Sequence, residues 1–171
     1  LTMMHKAAVS YYPSYVEINA IHAIDGSIPA KAITAYVYDT FLDSIQDDFG
    51  EREGLLFVGG FAHPPNADAV LWFAREIFPL IRRELPDVKF YVAGSKVTDE
   101  IKALEETEGG IIIKGFVSEE ELAQLYGQCR VVVVPLRYGA GVKGKVVEAI
   151  YNGAPIVTTS TGAEGIPFAD T

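Results

Sequence analysis

The stretch Val131-Val132-Val133-Val134-Pro135-Leu136-Arg137-Tyr138-Gly139-Ala140-Gly141-Val142-Lys143-Gly144-Lys145-Val146-Val147-Glu148-Ala149 decides the reading of this chain. Four consecutive valines are apolar on both faces, as a strand covered on both sides of a parallel sheet must be. They lead into a glycine-rich loop, and a helix is expected from about Lys145 to Asn152. Strand, glycine loop and helix N-terminus in that order expose backbone N–H groups at the positive end of a helix dipole, which favours a phosphate. Arg137, Lys143 and Lys145 add positive charge within a chain of formal net charge −9, so a diphosphate is the guest the loop suggests. Glu148 follows Lys145 by about one helical turn, on roughly the same face. It can accept hydrogen bonds from the vicinal hydroxyls of a ribose; the simpler alternative is a solvated ion pair with Lys145.

Upstream, short β-branched runs alternate with amphipathic stretches, the pattern of parallel strands joined by crossover helices. Leu55 to Val58 reads as the first strand, ended by Gly59-Gly60. A long helix is expected from about Asn66, as N-cap, to Leu85, with Val70, Phe73, Ile77, Leu80 and Ile81 at helical spacing and Pro86 as its stop. Val88 to Ala93 is the second strand, followed by a helix over Thr98 to Thr107 that turns Ile101 and Leu104 inward. Ile111 to Ile113 is the third strand, and Ser118-Glu119-Glu120-Glu121 forms a capping box for the helix carrying Leu122, Leu125 and Tyr126. Downstream, Gly153 caps the helix and Pro155 to Thr159 is the fifth strand. The block is a Rossmann-like doubly wound α/β sheet, whose ligands bind beyond the carboxyl ends of the strands.

Residues 1–53 read differently. They are aromatic and alanine-rich, with an acidic run from Asp43 to Glu53 and one candidate strand over Ile33 to Tyr38. They are expected to be the remnant of a preceding domain and its linker, leaving 54–171 as the Rossmann-like domain, with the chain cut short at both ends.

At 171 residues, 49% hydrophobic and 22% charged, the composition is that of a globular protein. The negative charge argues against nucleic acid as a partner. The single cysteine, Cys129, cannot form an internal disulfide, no apolar run approaches the ~20 residues that span a bilayer, and the N-terminus lacks a signal-peptide core. A cytoplasmic location is the expectation. His5 and His22 have no cysteine or acid cluster beside them, so no metal site is expected.

Gly139-x-Gly141-x-x-Gly144 formally matches a dinucleotide fingerprint, with Glu164 near the separation expected of a ribose-binding acid. Four residues separate its first glycine from the strand, however, and that strand is the fourth in the sheet. An NAD- or FAD-dependent oxidoreductase is therefore the weaker alternative. Trp72 and Phe73 read as core residues, Asn66 and Ser118 as caps, and His63 as a turn residue that could meet an acceptor or phosphate.

The run Phe57-Val58-Gly59-Gly60-Phe61-Ala62-His63-Pro64-Pro65-Asn66, then Val92-Ala93-Gly94-Ser95, Gly115-Phe116-Val117, Glu120-Glu121-Leu122, Gly139-Ala140-Gly141-Val142, Lys145 to Ala149, and Gly153 to Thr159 resembles the C-terminal domain of glycosyltransferase family 4, the group 1 glycosyl transferases of GT-B fold. The resemblance covers about Gly54 to Gly165. It implies a retaining hexosyltransferase without metal or other cofactor, in which two Rossmann-like domains close on a nucleotide-diphosphate sugar. Lys145 and Arg137 would then meet the diphosphate and Glu148 the ribose. Donor contacts would come from Gly59, Gly60, Gly139 and Gly141, from Gly162 and Glu164 of the 161–165 loop, and from Gly115, Phe116 and Val117, whose backbone would read the base. The acceptor, a saccharide, lipid-linked saccharide or other molecule, would be held by an absent N-terminal GT-B domain, which could also place the protein at the membrane periphery. The fragment alone would be inactive.

Two positions depart from the family pattern. The acid expected eight residues before Glu148 is Ala140, and the Arg and Lys often found after the first strand are replaced by Phe61, Ala62 and His63. A non-catalytic nucleotide-sugar-binding module and a sugar-nucleotide epimerase are the alternatives this leaves open.

Overall fold

Short apolar runs rich in aromatic and β-branched residues form the sheet. The computed structural model describes residues 2–34, 36–38 and 50–166. Its main sheet has five parallel strands: β3 (Leu55–Val58), β4 (Phe90–Ala93), β5 (Ile111–Gly115), β6 (Val131–Val134) and β7 (Ile156–Thr158), in the order β5-β4-β3-β6-β7. A smaller parallel pair, β1 (Ser10–Tyr12) and β2 (Ala30–Ala32), precedes it, joined through helix α1 (Tyr15–Ile24).

In the main sheet the chain starts in the middle, builds outward to β5, then crosses back to β6 and β7. The order therefore reverses between β3 and β6, whose pairing sets Leu55 against Val131 and Leu56 against Val132. The loops that leave these two strands run to opposite faces and open a crevice between them. The two loops are 59–63 and 135–143, the two the sequence marks with glycine.

The core lies on both faces of this sheet. Leu56, Phe57, Phe90, Val92, Val132 and Val134 are fully buried, as strands covered on two sides require. Phe73, Phe78 and Phe90 pack on one another with ring centroids 4.9 to 6.4 Å apart. Each such aromatic burial contributes roughly 1.5–3 kcal/mol.

The long helix expected over Asn66 to Leu85 is broken into three. Helix α2 (Pro64–Trp72) passes through a π turn, Phe73–Ile77, into α3 (Phe78–Glu84). Pro79 explains the turn: it has no N–H to give the carbonyl one turn back, and the Phe78 N–H reaches five residues back to the Phe73 carbonyl. The helix expected over Thr98 to Thr107 is likewise two short ones, α4 (Asp99–Lys102) and α5 (Leu104–Thr107), with Thr98 capping the first and Ile101 and Leu104 buried as expected. Helix α6 (Glu119–Gln128) carries the full Ser118–Glu121 capping box.

The strand considered over Ile33 to Tyr38 is not formed at its described residues. Pairing with β1 stops soon after Tyr12, because the next residue, Pro13, has no N–H to continue the ladder. The segment 36–38 lies instead along helix α7 (Gly144–Tyr151). The Tyr38 ring stacks on Tyr151 at 3.9 Å, and the Tyr36 hydroxyl covers Gly144 so closely that an added Cβ would sit 2.8 Å from it. Most of the acidic run, residues 43–49, and the end of the chain, 167–171, lie outside the described residues.

Candidate functional site

Two adjoining clefts occupy the crevice. The larger, about 380 Å³, opens beyond the ends of β3, β4 and β5 and is lined by Gly59, Gly60, Ser95, Phe116, Val117, Lys145 and Glu148, among others. The smaller, about 210 Å³, lies under the glycine loop, between His63 and Pro65 on one side and Tyr138 to Lys145 on the other. Asn66 and Lys145 line both.

Absent side chains allow the backbones to close on this crevice. A Cβ on Gly94, whose φ is +152°, would lie 1.8 Å from the Gly59 carbonyl oxygen, so β3 and β4 can end side by side only with glycine there. A Cβ on Gly59 would approach the Lys145 ammonium to 3.0 Å. The turn after β3 is thereby left open to the lysine.

Lys145 stands on the first turn of α7. Its ammonium donates to Asn66 Oδ1 at 2.5 Å and lies 4.7 Å from the centre of the Phe57 ring. Burial, helped by the nearby Lys143 charge and opposed by Glu148, pushes its pKa down to about 8. Glu148, one turn along, accepts a hydrogen bond from the Tyr126 hydroxyl at 3.2 Å. The two side chains are thus tied to different partners, and the simple Lys145–Glu148 ion pair does not form. Burial and the Glu148 charge raise the pKa of Tyr126, which keeps it a hydrogen-bond donor to the carboxylate.

The remaining predicted residues separate. Gly115, at φ +66°, ends β5 and turns the chain so that Phe116 projects at the mouth of the larger cleft, 83% exposed, with Val117 beside it. Gly139 lines the smaller cleft. Gly141 is held by its neighbour: Lys143 donates to its carbonyl and also pairs with Glu164 at 3.4 Å, bridging the glycine loop to the 161–165 loop. Gly162 lines neither cleft; it packs where a Cβ would meet the Thr158 hydroxyl at 2.0 Å. Arg137 points elsewhere. Its guanidinium makes a two-pronged pair with Asp68 and lies over the Trp72 ring at 5.5 Å, holding the Asp68 carboxyl below its usual range. It does not line either cleft.

Asn66 is the residue the sequence reading misplaced. It is not the cap of α2; His63 holds that position with its backbone, and Pro64 and Pro65 fill the first helical turn. The two prolines were the available signal, since proline favours the first helical position and pushes the cap upstream. Asn66 is 7% exposed and donates to the Gly60 carbonyl at 2.8 Å while accepting from Lys145.

Cys129 is buried at the end of α6, and burial pushes its thiol up to about 11, so it is inert at neutral pH. Among the described residues, no three His, Cys, Asp or Glu side chains stand together as metal ligands, and no helix is long and apolar enough to cross a membrane.

The α/β fold with its parallel five-stranded sheet matches the C-terminal, Rossmann-like domain of GT-B glycosyltransferases. Three solved structures show the likeness. A TarM mutant of S. aureus in complex with Fondaparinux, alpha-GlcNAc-glycerol and UDP superposes with a TM-score of 0.71 at 16% identity, covering 91% of this chain and 30% of that one. The pneumococcal O-GlcNAc transferase GtfA in complex with UDP and GlcNAc gives 0.65 at 22% identity, covering 91% and 31%. Anabaena Alr3699/HepE in complex with UDP and glucose gives 0.64 at 17% identity, covering 92% and 46%. The chain belongs to the glycosyl transferases group 1 family, which it matches over residues 52–169. It is also 35% identical over 117 residues to an uncharacterized 44.6 kDa protein in the cps region of Klebsiella pneumoniae. That match covers 65% of this chain and 30% of the relative, so the chain spans about a third of its length.

Proposed function

We propose that the chain is the donor-binding part of an enzyme that transfers a hexose from a nucleotide-diphosphate sugar to an acceptor, with retention and without a metal or other cofactor. The observation that carries the reading is the placement of Lys145 and Glu148 one turn apart, facing one cleft at the switch point of the sheet. A cation and a helix N-terminus suit a diphosphate, and a carboxylate one turn on suits a ribose. The UDP in the three neighbouring structures supports a nucleoside diphosphate as the guest.

In the reaction, the bond between the sugar C1 and the diphosphate oxygen breaks and its electron pair leaves with the phosphate. The acceptor oxygen bonds to C1 and releases its proton. Lys145 and the glycine-loop N–H groups stabilise the charge that gathers on the leaving group, in a site preorganised before the bond breaks. Glu148 and the backbone around Gly115 orient the nucleoside. Arg137 serves as a strut between the 135–143 loop and α2. Membership of family 4, a cytoplasmic enzyme acting at the membrane periphery, and a role in polysaccharide or glycoconjugate synthesis complete the proposal. A partner domain would bring the acceptor.

Calorimetry of the full-length protein against UDP, GDP, ADP, their sugar conjugates, NAD and FAD tests it. One nucleoside diphosphate should bind, and Glu148→Ala should weaken it. Binding of a dinucleotide in its place, or of nothing, would sink the reading.

A further inference from the structure

Asn66 has no place in the transfer described above, yet it stands where the two clefts meet. Its side chain is nearly fully buried, and both ends are used: Nδ2 donates to the Gly60 carbonyl at 2.8 Å and Oδ1 accepts from the Lys145 ammonium at 2.5 Å. It therefore ties the turn after β3 to the first turn of α7, two segments 79 residues apart in sequence. A buried amide oxygen without a donor is costly, so the lysine is held as firmly as it is aimed.

We propose that Asn66 is a positioning residue for Lys145, setting both the direction of the ammonium and its protonation, so that a diphosphate meets an aimed cation at the junction of the clefts. The proposal rests on the diphosphate reading of the site only for its consequence in binding; the hold on the lysine stands apart from it. A flexible lysine on an open helix end would sample many rotamers and lose that freedom on binding. Here the loss is already incurred in folding. The groups around the ammonium show why the amide matters. Glu148 on α7 favours the charge, Lys143 on the glycine loop opposes it, and Tyr126 engages Glu148 from α6. His63 lines the same small cleft, and the Phe57 ring of β3 forms the floor. Asn66 is the neutral acceptor that compensates burial without adding a negative charge that would repel a phosphate.

The test uses the full-length protein with lysine Nζ and Cε labelled for NMR, the Lys145 signal being identified by its loss in Lys145→Arg. Inorganic pyrophosphate serves as a base-independent probe of the diphosphate site. Asn66→Leu should move the Lys145 titration below its wild-type position of about 8, and Asn66→Asp should move it above. Asn66→Leu should also weaken pyrophosphate about tenfold, with the gap wider above the lysine titration than below it. Asn66→Asp should weaken pyrophosphate while the lysine remains charged, because the new carboxylate repels the probe. A Lys145 titration unmoved in both variants, with only the melting temperature lowered, would overturn the proposal. If Asn66→Leu does not fold, the isosteric Asn66→Asp decides it by the direction of the titration shift. Failure of the diphosphate reading is separate: Lys145→Ala would then leave pyrophosphate affinity unchanged, whatever the titrations show.

Discussion

Lys145 is a cation whose charge the fold weakens. Its pKa is pushed down to about 8 because burial outweighs the help of Glu148. Two consequences follow, with opposite signs. In the proposed reading a diphosphate binds to the ammonium, so affinity should fall as pH rises through about 8 and the lysine loses its proton, and calorimetry across that range checks it. Folding prefers the neutral amine. Between about 8 and the ordinary lysine value of ~10.4 the unfolded chain binds more protons than the folded one, so this residue's contribution to stability rises with pH there. Lys145→Met should abolish pyrophosphate binding, and its melting temperature relative to wild type should fall as pH rises from neutral through about 8, on top of the pH-independent cost of leaving the Asn66 amide oxygen without its donor. A difference that is constant with pH would show that the burial costs nothing.

Helices α2 and α7 flank the crevice and supply Asn66, Lys145 and Glu148 to it, while the loops after the strands supply most of the rest of its lining. Arg137 shows how an element can claim a residue that local reading gives to a ligand. Read beside Lys143 and Lys145, it is a third cation for a phosphate. In the fold, α2 presents Asp68 and Trp72 to it, and it joins them. Asp68→Ala should leave nucleotide binding unchanged but loosen the 135–143 loop, seen as faster amide exchange there. Arg137→Ala should do the same, and loss of diphosphate affinity in Arg137→Ala alone would return the arginine to the site. Helix α6 is farther from the chemistry: Ser118→Ala removes a complete capping box and should cost about 1 kcal/mol of stability. Urea denaturation measures that cost.

At the scale of the molecule, the first segment and the Rossmann-like sheet meet along α7. Tyr38 on Tyr151 and Tyr36 over Gly144 set the segment along the helix that carries Lys145 and Glu148. The Tyr38 hydroxyl has its pKa raised by burial and by the Glu148 charge, so the contact reaches the edge of the site. A double-mutant cycle of Tyr38→Ala and Tyr151→Ala should give a coupling of roughly 0.5–1.5 kcal/mol. Zero coupling would mean that the stack contributes nothing to holding the segment. Nearby, Ser14 is buried and would be struck by a Cβ at Gly165, so the start of α1 packs closely on the 161–165 loop.

Legible in the chain alone were the five strands of the main sheet, their parallel wrapping, the glycine loop, and the placement of Lys145 and Glu148 one turn apart on the same helix. All of these depend on local period and backbone chemistry, which act within a few residues: alternating apolar runs, glycines where φ is positive, a serine and a glutamate at cap spacing. The placing of Asn66, Arg137 and Lys143 was decided only by tertiary structure. Each is a polar side chain whose partner lies 21 to 79 residues away, in Glu164, Asp68 or Lys145. A hydrogen bond across that distance leaves no periodic trace in the chain, because it is made by the order in which strands lie in the sheet. The π turn and the 36–38 segment stand between the two cases: prolines at 79 and 13 mark where a ladder must break, but only the packed sheet shows where the freed backbone goes.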